Sequence, residues 1–297
     1  MGKKRRRNTR RGGVIGMALL LNELDLATMR ASYPSFEFED YGQYLATCEQ
    51  ILRYMLKVGH RVMIGAFIPA EYSAYCQTEQ LPPDSAVSRA RYAQAVCEED
   101  DPFPCQGEPI GVIVASLAHR ERLRALSIRT MDLLAAFPPD VVLEAKEYAA
   151  ELLVRLSTHG GPGRHIFTCH VGAGTHDPLE IVAEVELEQN AMRVMSVDFP
   201  ALALILSFAR AAGAAGGVVM RSFTSRTDPG SGSPVKIVRG WAIVKGVVRP
   251  LKAAEIMRAC CTDARTGASL PPEPAVEYAD SHEPFPAAPS DVAPSPG

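Results

Sequence analysis

Residues 159 to 188 read HGGPGRHIFTCHVGAGTHDPLEIVAEVELE, and the end of this stretch decides the fold class. From Glu180 to Glu188 the chain alternates without a break: Ile181, Ala183, Val185 and Leu187 point one way, and Glu180, Glu184, Glu186 and Glu188 point the other. Successive strand residues face opposite sides of a sheet, so this period of two predicts a strand with one buried and one wet face, the mark of an antiparallel sheet. A turn at Gln189-Asn190 predicts a hairpin returning over 192–197. Upstream, Arg164 to Val171 reads as a second strand, with glycine-rich punctuation on both sides.

Around these strands the pattern is helical. Val142, Ala145, Ala149, Leu152 and Leu156 recur at three and four after Pro138-Pro139, predicting an amphipathic helix that stops at His159-Gly160-Gly161. Phe199 to Ala212 is almost wholly apolar, which predicts a helix buried on most sides, with Asp198 as its cap. Two further strands are expected over 218–225 and 235–248, then a closing helix over 250–261. In the first half, the spacing of Met17, Leu20, Leu21, Leu24 and Ala27 predicts a helix over 14–29. A second helix over 41–58 leads into a strand over 62–68, and a third helix covers 85–96. The apolar run Ile110 to Ala115 reads as a buried strand ahead of a helix over 117–136.

The expected fold is therefore mixed α/β (α+β). A helical and stranded N-terminal lobe over 13–158 is packed on a C-terminal lobe over 159–266 that holds an antiparallel sheet and a buried helix. Residues 267–297 contain eight prolines, five acids and no lysine or arginine, which predicts a disordered tail. A hydrophobic fraction of 47% excludes disorder of the chain as a whole.

Charge is distributed unevenly. Lys3, Lys4, Arg5, Arg6, Arg7, Arg10 and Arg11 stand in residues 1–12 with no acid among them, leaving 24 bases against 34 acids in the rest of the chain. Such a tail neutralises phosphates and releases counterions, so it suits the backbone of DNA or RNA without reading sequence. It lacks the aromatic residues that would stack on bases. Seven cysteines form no CxxC pair, which fits reduced thiols in a cytoplasmic setting, or a nuclear one if the source has nuclei. The apolar segment 13–21 is too short to span a membrane and lacks an export cleavage pattern, so no membrane partner is expected.

Four of the seven histidines fall in 159–177. On a strand His165 and Cys169 share a face and His170 takes the other, so His170, His176 and Asp177 make the better metal set. Two histidines and a carboxylate leave coordination positions open for water, as hydrolytic sites require. A divalent metal is the one cofactor this suggests, with a glutamate of 180–188 as general base. The glycine clusters lack the strand, loop and helix order of a phosphate loop. The leading expectation is a non-enzymatic binding or assembly protein tethered to nucleic acid through its N-terminus. A metal-dependent, hydrolase-like enzyme and an oligomeric structural protein that self-associates stand as alternatives.

Overall fold

A computed structural model describes residues 13–285, apart from 100–101, 175, 189–190, 195, 228–229, 231, 233 and 263–265. The fold is mixed α/β with several helices and two mixed sheets. The chain divides into two compact units, Met1–Arg122 and Leu123–Gly297, rather than near residue 158. The boundary falls inside a helix, α5 (Ile110–Leu134), which explains why no linker composition marks it. No helix among the described residues is long and apolar enough to cross a membrane.

The first unit begins with β1 (Val14–Leu19), followed by α1 (Glu23–Ser32), α2 (Tyr41–Lys57) and β2 (Arg61–Ala66). Then come α3 (Pro69–Thr78), α4 (Ala86–Glu99) and β3 (Phe103–Pro104). β1 and β2 pair in parallel from Val14↔Arg61 to Leu19↔Ala66, and β3 lies antiparallel on the far side of β2. A single helix over 14–29 is thus corrected to a strand followed by a helix. The periodic residues Leu24 and Ala27 lie exposed, and Asn22 caps α1 by accepting from the Asp25 amide at 2.9 Å. A parallel partner more than forty residues away leaves no trace in local periodicity. Asp40 caps α2 in the same way, accepting from the Gln43 amide at 2.7 Å.

Residues 110–115 are not a strand but the first turns of α5, whose Val112 is 53% exposed. A short apolar run does not distinguish a strand from a helix start.

The second unit places α6 (Pro139–His159) and α7 (Phe199–Ala212) against a seven-stranded sheet. Its strands are β4 (Gly163–Ala173), β5 (His176–Glu188), β6 (Ala191–Val194), β7 (Gly216–Thr227), β8 (Pro234–Val244), β9 (Val247–Pro250) and β10 (Val276–Tyr278). The order is β10-β8-β7-β4-β5-β6, antiparallel throughout except for β10 on β8. β9 joins the Trp241–Val244 end of β8 through a two-residue turn in which Lys245 and Gly246 both have positive φ, +51° and +72°. The core forms where Leu152, Leu156, Leu202 and Ile205 of the helices meet Phe167, Val185, Met220 and Trp241 of the sheet. The alternation read in 180–188 is realised there, with Ile181, Ala183 and Val185 buried.

The expected disordered tail is corrected over its first half. Residues 276–278 pair with the Lys236–Val238 segment of β8, Ser281 accepts from the Gly240 amide at 2.9 Å, and the Trp241 indole donates to the His282 carbonyl at 3.0 Å. Phe285 then stacks on Tyr148 at 5.0 Å. Composition counts the prolines and acids but not the open edge of β8, whose backbone groups the segment satisfies. Its acids are engaged too: Glu273 pairs with Lys236, Glu277 with Arg226, and Asp280 with Lys252 and the Ala253 amide.

Candidate binding site

The histidine-rich stretch lies on β4 and the start of β5. His165 and Cys169 do share a face, and both are buried under the helices. Both ring nitrogens of His165 are bonded: Nε2 donates to the Gly161 carbonyl at 2.8 Å, and Nδ1 shares a hydrogen bond with the Ser222 hydroxyl at 2.9 Å. Burial lowers its pKa, and the nearby Arg239 guanidinium adds to that. Cys169 is pushed up to about 12 by burial, so it stays a thiol.

Of the expected metal set, the structure describes the side chains of His170 and Asp177. His170 stands exposed on the opposite, open face of the sheet, where its Nε2 lies 3.5 Å from Glu180. Asp177 is exposed and lies at an irregularity of the β4–β5 pairing, between His176 and Leu179, where its backbone carbonyl accepts from Arg129. His176 pairs with Ala173 at the end of the hairpin, and its side chain lies outside the described residues. Among the described residues, no three histidine, cysteine, aspartate or glutamate side chains gather as metal ligands. The glutamate row lies on the open face. Glu184 there takes a two-pronged bond from Arg164 at 2.5 and 2.8 Å, which lowers its pKa and makes it a weaker base.

A second candidate site lies in the first unit, and no sequence motif announces it. A cavity of ≈ 270 Å³ opens beside the outer edge of β1, between α2 and α4. Its floor is buried: Leu20, Met29, Tyr44, Cys48 and Phe67 are each 6% exposed or less. Ile51, 41% exposed, stands at the mouth.

The local sequence makes this space by keeping side chains small where α4 crosses β1. A Cβ on Gly16 would lie 3.0 Å from the Ala93 carbonyl oxygen and from Cys97 Cβ, so only glycine admits α4 this close. Ala18, Ala90 and Ala93 continue the small wall. β1 offers its odd residues to β2, as the 2.8 Å bond from the Phe67 amide to the Leu19 carbonyl shows, so Gly16, Ala18 and Leu20 turn their backbone outward. Side chains hold much of that edge. Gln94 accepts from the Gly16 amide at 2.9 Å, Tyr44 accepts from the Leu20 amide at 3.0 Å, and Tyr41 donates to the Leu20 carbonyl at 2.9 Å.

One charged group reaches the cavity. Arg89 lies with its guanidinium carbon 5.7 Å from the Phe36 ring centroid, and both terminal nitrogens donate to Ser35 Oγ at 3.2 Å. Asp84 is 3.7 Å away and binds the same serine. Cys48, facing the cavity, is pushed up to about 11 by burial and is no nucleophile at neutral pH. The arrangement can enclose an apolar molecule; it offers no acid, base or nucleophile to transform one.

Two wider recesses in the second unit, ≈ 570 and ≈ 550 Å³, flank Phe137, but the first is walled by surface residues such as Met131 and Leu143, 50% and 59% exposed. The basic residues Lys3, Lys4, Arg5, Arg6, Arg7, Arg10 and Arg11 lie outside the described residues.

The first unit is thus a short parallel pair with a third, antiparallel strand, flanked by helices, with an apolar cavity beside β1. Residues 4–108 are similar to a family whose model is described as a domain of unknown function (DUF8829). Comparison with curated proteins and with solved structures gave no match.

Proposed function

We propose that the protein is a non-enzymatic binding protein. Its basic residues 3–11 hold it to the phosphate backbone of DNA or RNA, and the unit that follows supplies a ligand cavity. The observation that carries this reading is continuity. The family similarity over 4–108 runs from the basic stretch through β3 without a break, and β1, which lines the cavity, starts two residues after residue 12. This continuity supports treating tail and cavity as parts of one module.

The test is retention of a labelled DNA duplex and a single-stranded RNA on a filter at low salt, by the full chain and by residues 13–297. The full chain should retain both, and removal of the tail should weaken retention by about tenfold or more, because non-specific binding is almost wholly electrostatic. Equal retention by the two proteins would reject the tether.

A further inference from the structure

We propose that the cavity beside β1 binds a small carboxylic acid with an apolar body, with Arg89 receiving the carboxylate. This deepens the reading of the first unit as a binding module but does not depend on the tail.

Three observations lead there. The first is size and lining. A dry apolar cavity of about 150 Å³ accepts a benzene ring, and this one is ≈ 270 Å³, room for a bicyclic ring or a chain of about eight carbons. The second is the kind of side chain present. Met17, Met29 and Met55 bring flexible, polarisable thioethers, which adapt to a guest's shape, while Ala18, Ala90 and Ala93 keep the wall small.

The third is the single charge. A guanidinium carries five N–H donors, and the bonds to Ser35 use one on each terminal nitrogen, so three remain without a hydrogen bond among the described residues. Asp84 is too far, at 3.7 Å, to take a proper hydrogen bond from Arg89. The planar fork of an arginine matches a carboxylate in two places at once. Every other lining side chain is apolar or already bonded inward, as Tyr44 is to the Leu20 amide. A guest with several polar groups would leave them unpaired, which selects for one acceptor at one end.

The experiment is isothermal titration of the full chain with sodium octanoate and, separately, with 1-octanol. Octanoate should bind saturably at one site per chain, and more tightly than the alcohol. Ile51→Trp, at the exposed mouth where folding is least at risk, and Ala93→Phe, in the wall, should each weaken both probes by about tenfold or more. Arg89→Met should weaken octanoate by about tenfold while leaving 1-octanol unchanged, the loss expected for a charge-assisted bond.

Saturable binding that ignores both Ile51→Trp and Ala93→Phe, or no saturable binding of either probe, would overturn the site. Octanoate binding untouched by Arg89→Met would overturn the acid. Residues 13–297 should bind octanoate as the full chain does, so the cavity and the nucleic-acid tether fail or stand separately.

Discussion

β4 of the second unit carries a dense set of reactive side-chain types, and the strand divides them between its two faces. His165 is locked between Gly161 and Ser222, Cys169 is sealed under the helices, and His170 stands beside Glu180 on the open face of the sheet. The cavity of the first unit is the reverse: its side chains are chemically plain, but they leave space unfilled beside one arginine. The difference teaches that a cluster of reactive residue types in sequence is not a site until the fold turns them toward one point. A site built from small residues and methionine has no such signature.

The largest effect that would sharpen this contrast lies in the filled region. Phe167→Ala, at a position with no exposure in the second unit, should cost about 3–5 kcal/mol. Urea unfolding followed by the fluorescence of Trp241, the only tryptophan and fully buried in the same core, measures it. A cost below ~1 kcal/mol would mean that this core is not packed as described.

Next is Gly16→Val, which forces a side chain between β1 and α4 where contacts already stand at 3.0 Å. It should destabilise the first unit by about 1–3 kcal/mol, the usual range for overpacking, as read from thermal melting by circular dichroism. An unchanged melt would show that α4 can retreat, and that the cavity wall is softer than its geometry implies.

The third effect is pH-dependent. His165 has a folded pKa below its unfolded value of about 6.5 because burial disfavours the imidazolium. The unfolded chain therefore binds the proton more readily. Stability should be complete above about pH 6.5 and fall as pH drops through the lower folded value. The urea midpoint of the second unit should be lower at pH 5.5 than at pH 7.5, and His165→Gln should flatten that difference. A midpoint that rises on acidification would contradict the bonding assigned to this ring.

The smallest effect belongs to His170→Ala. On the open face it should change stability by less than about 0.5 kcal/mol and leave the metal content of the purified protein unaltered. A bound metal lost on this substitution would assign His170 to a metal site.

Much of the second unit was legible in the sequence because its signals are local. The stripe Ala145, Ala149, Leu152, Leu156 and the alternation Ile181, Ala183, Val185 each state a period that neighbouring residues complete, and α7 runs over Phe199–Ala212 as its composition predicts. What escaped is what depends on distant partners. β1 is a strand because β2 lies beside it, and β10 because β8 offers an edge. The cavity escaped for the same reason. Gly16, Met29, Cys48 and Ala93 are unremarkable in sequence and become a lining only when α1, α2 and α4 are brought to β1. The basic tail is plain in the sequence and lies outside the described residues.

The most direct measurement of the proposed tether is its salt dependence. Affinity for a short DNA duplex, followed by fluorescence anisotropy between 50 and 300 mM salt, should fall with a logarithmic slope of up to about −6, from seven phosphate contacts at about −0.9 each. Residues 13–297 should show little binding and almost no slope. A full chain whose affinity ignores salt, or a truncated chain that keeps the same slope, would contradict the account of a nucleic-acid-tethered binding protein.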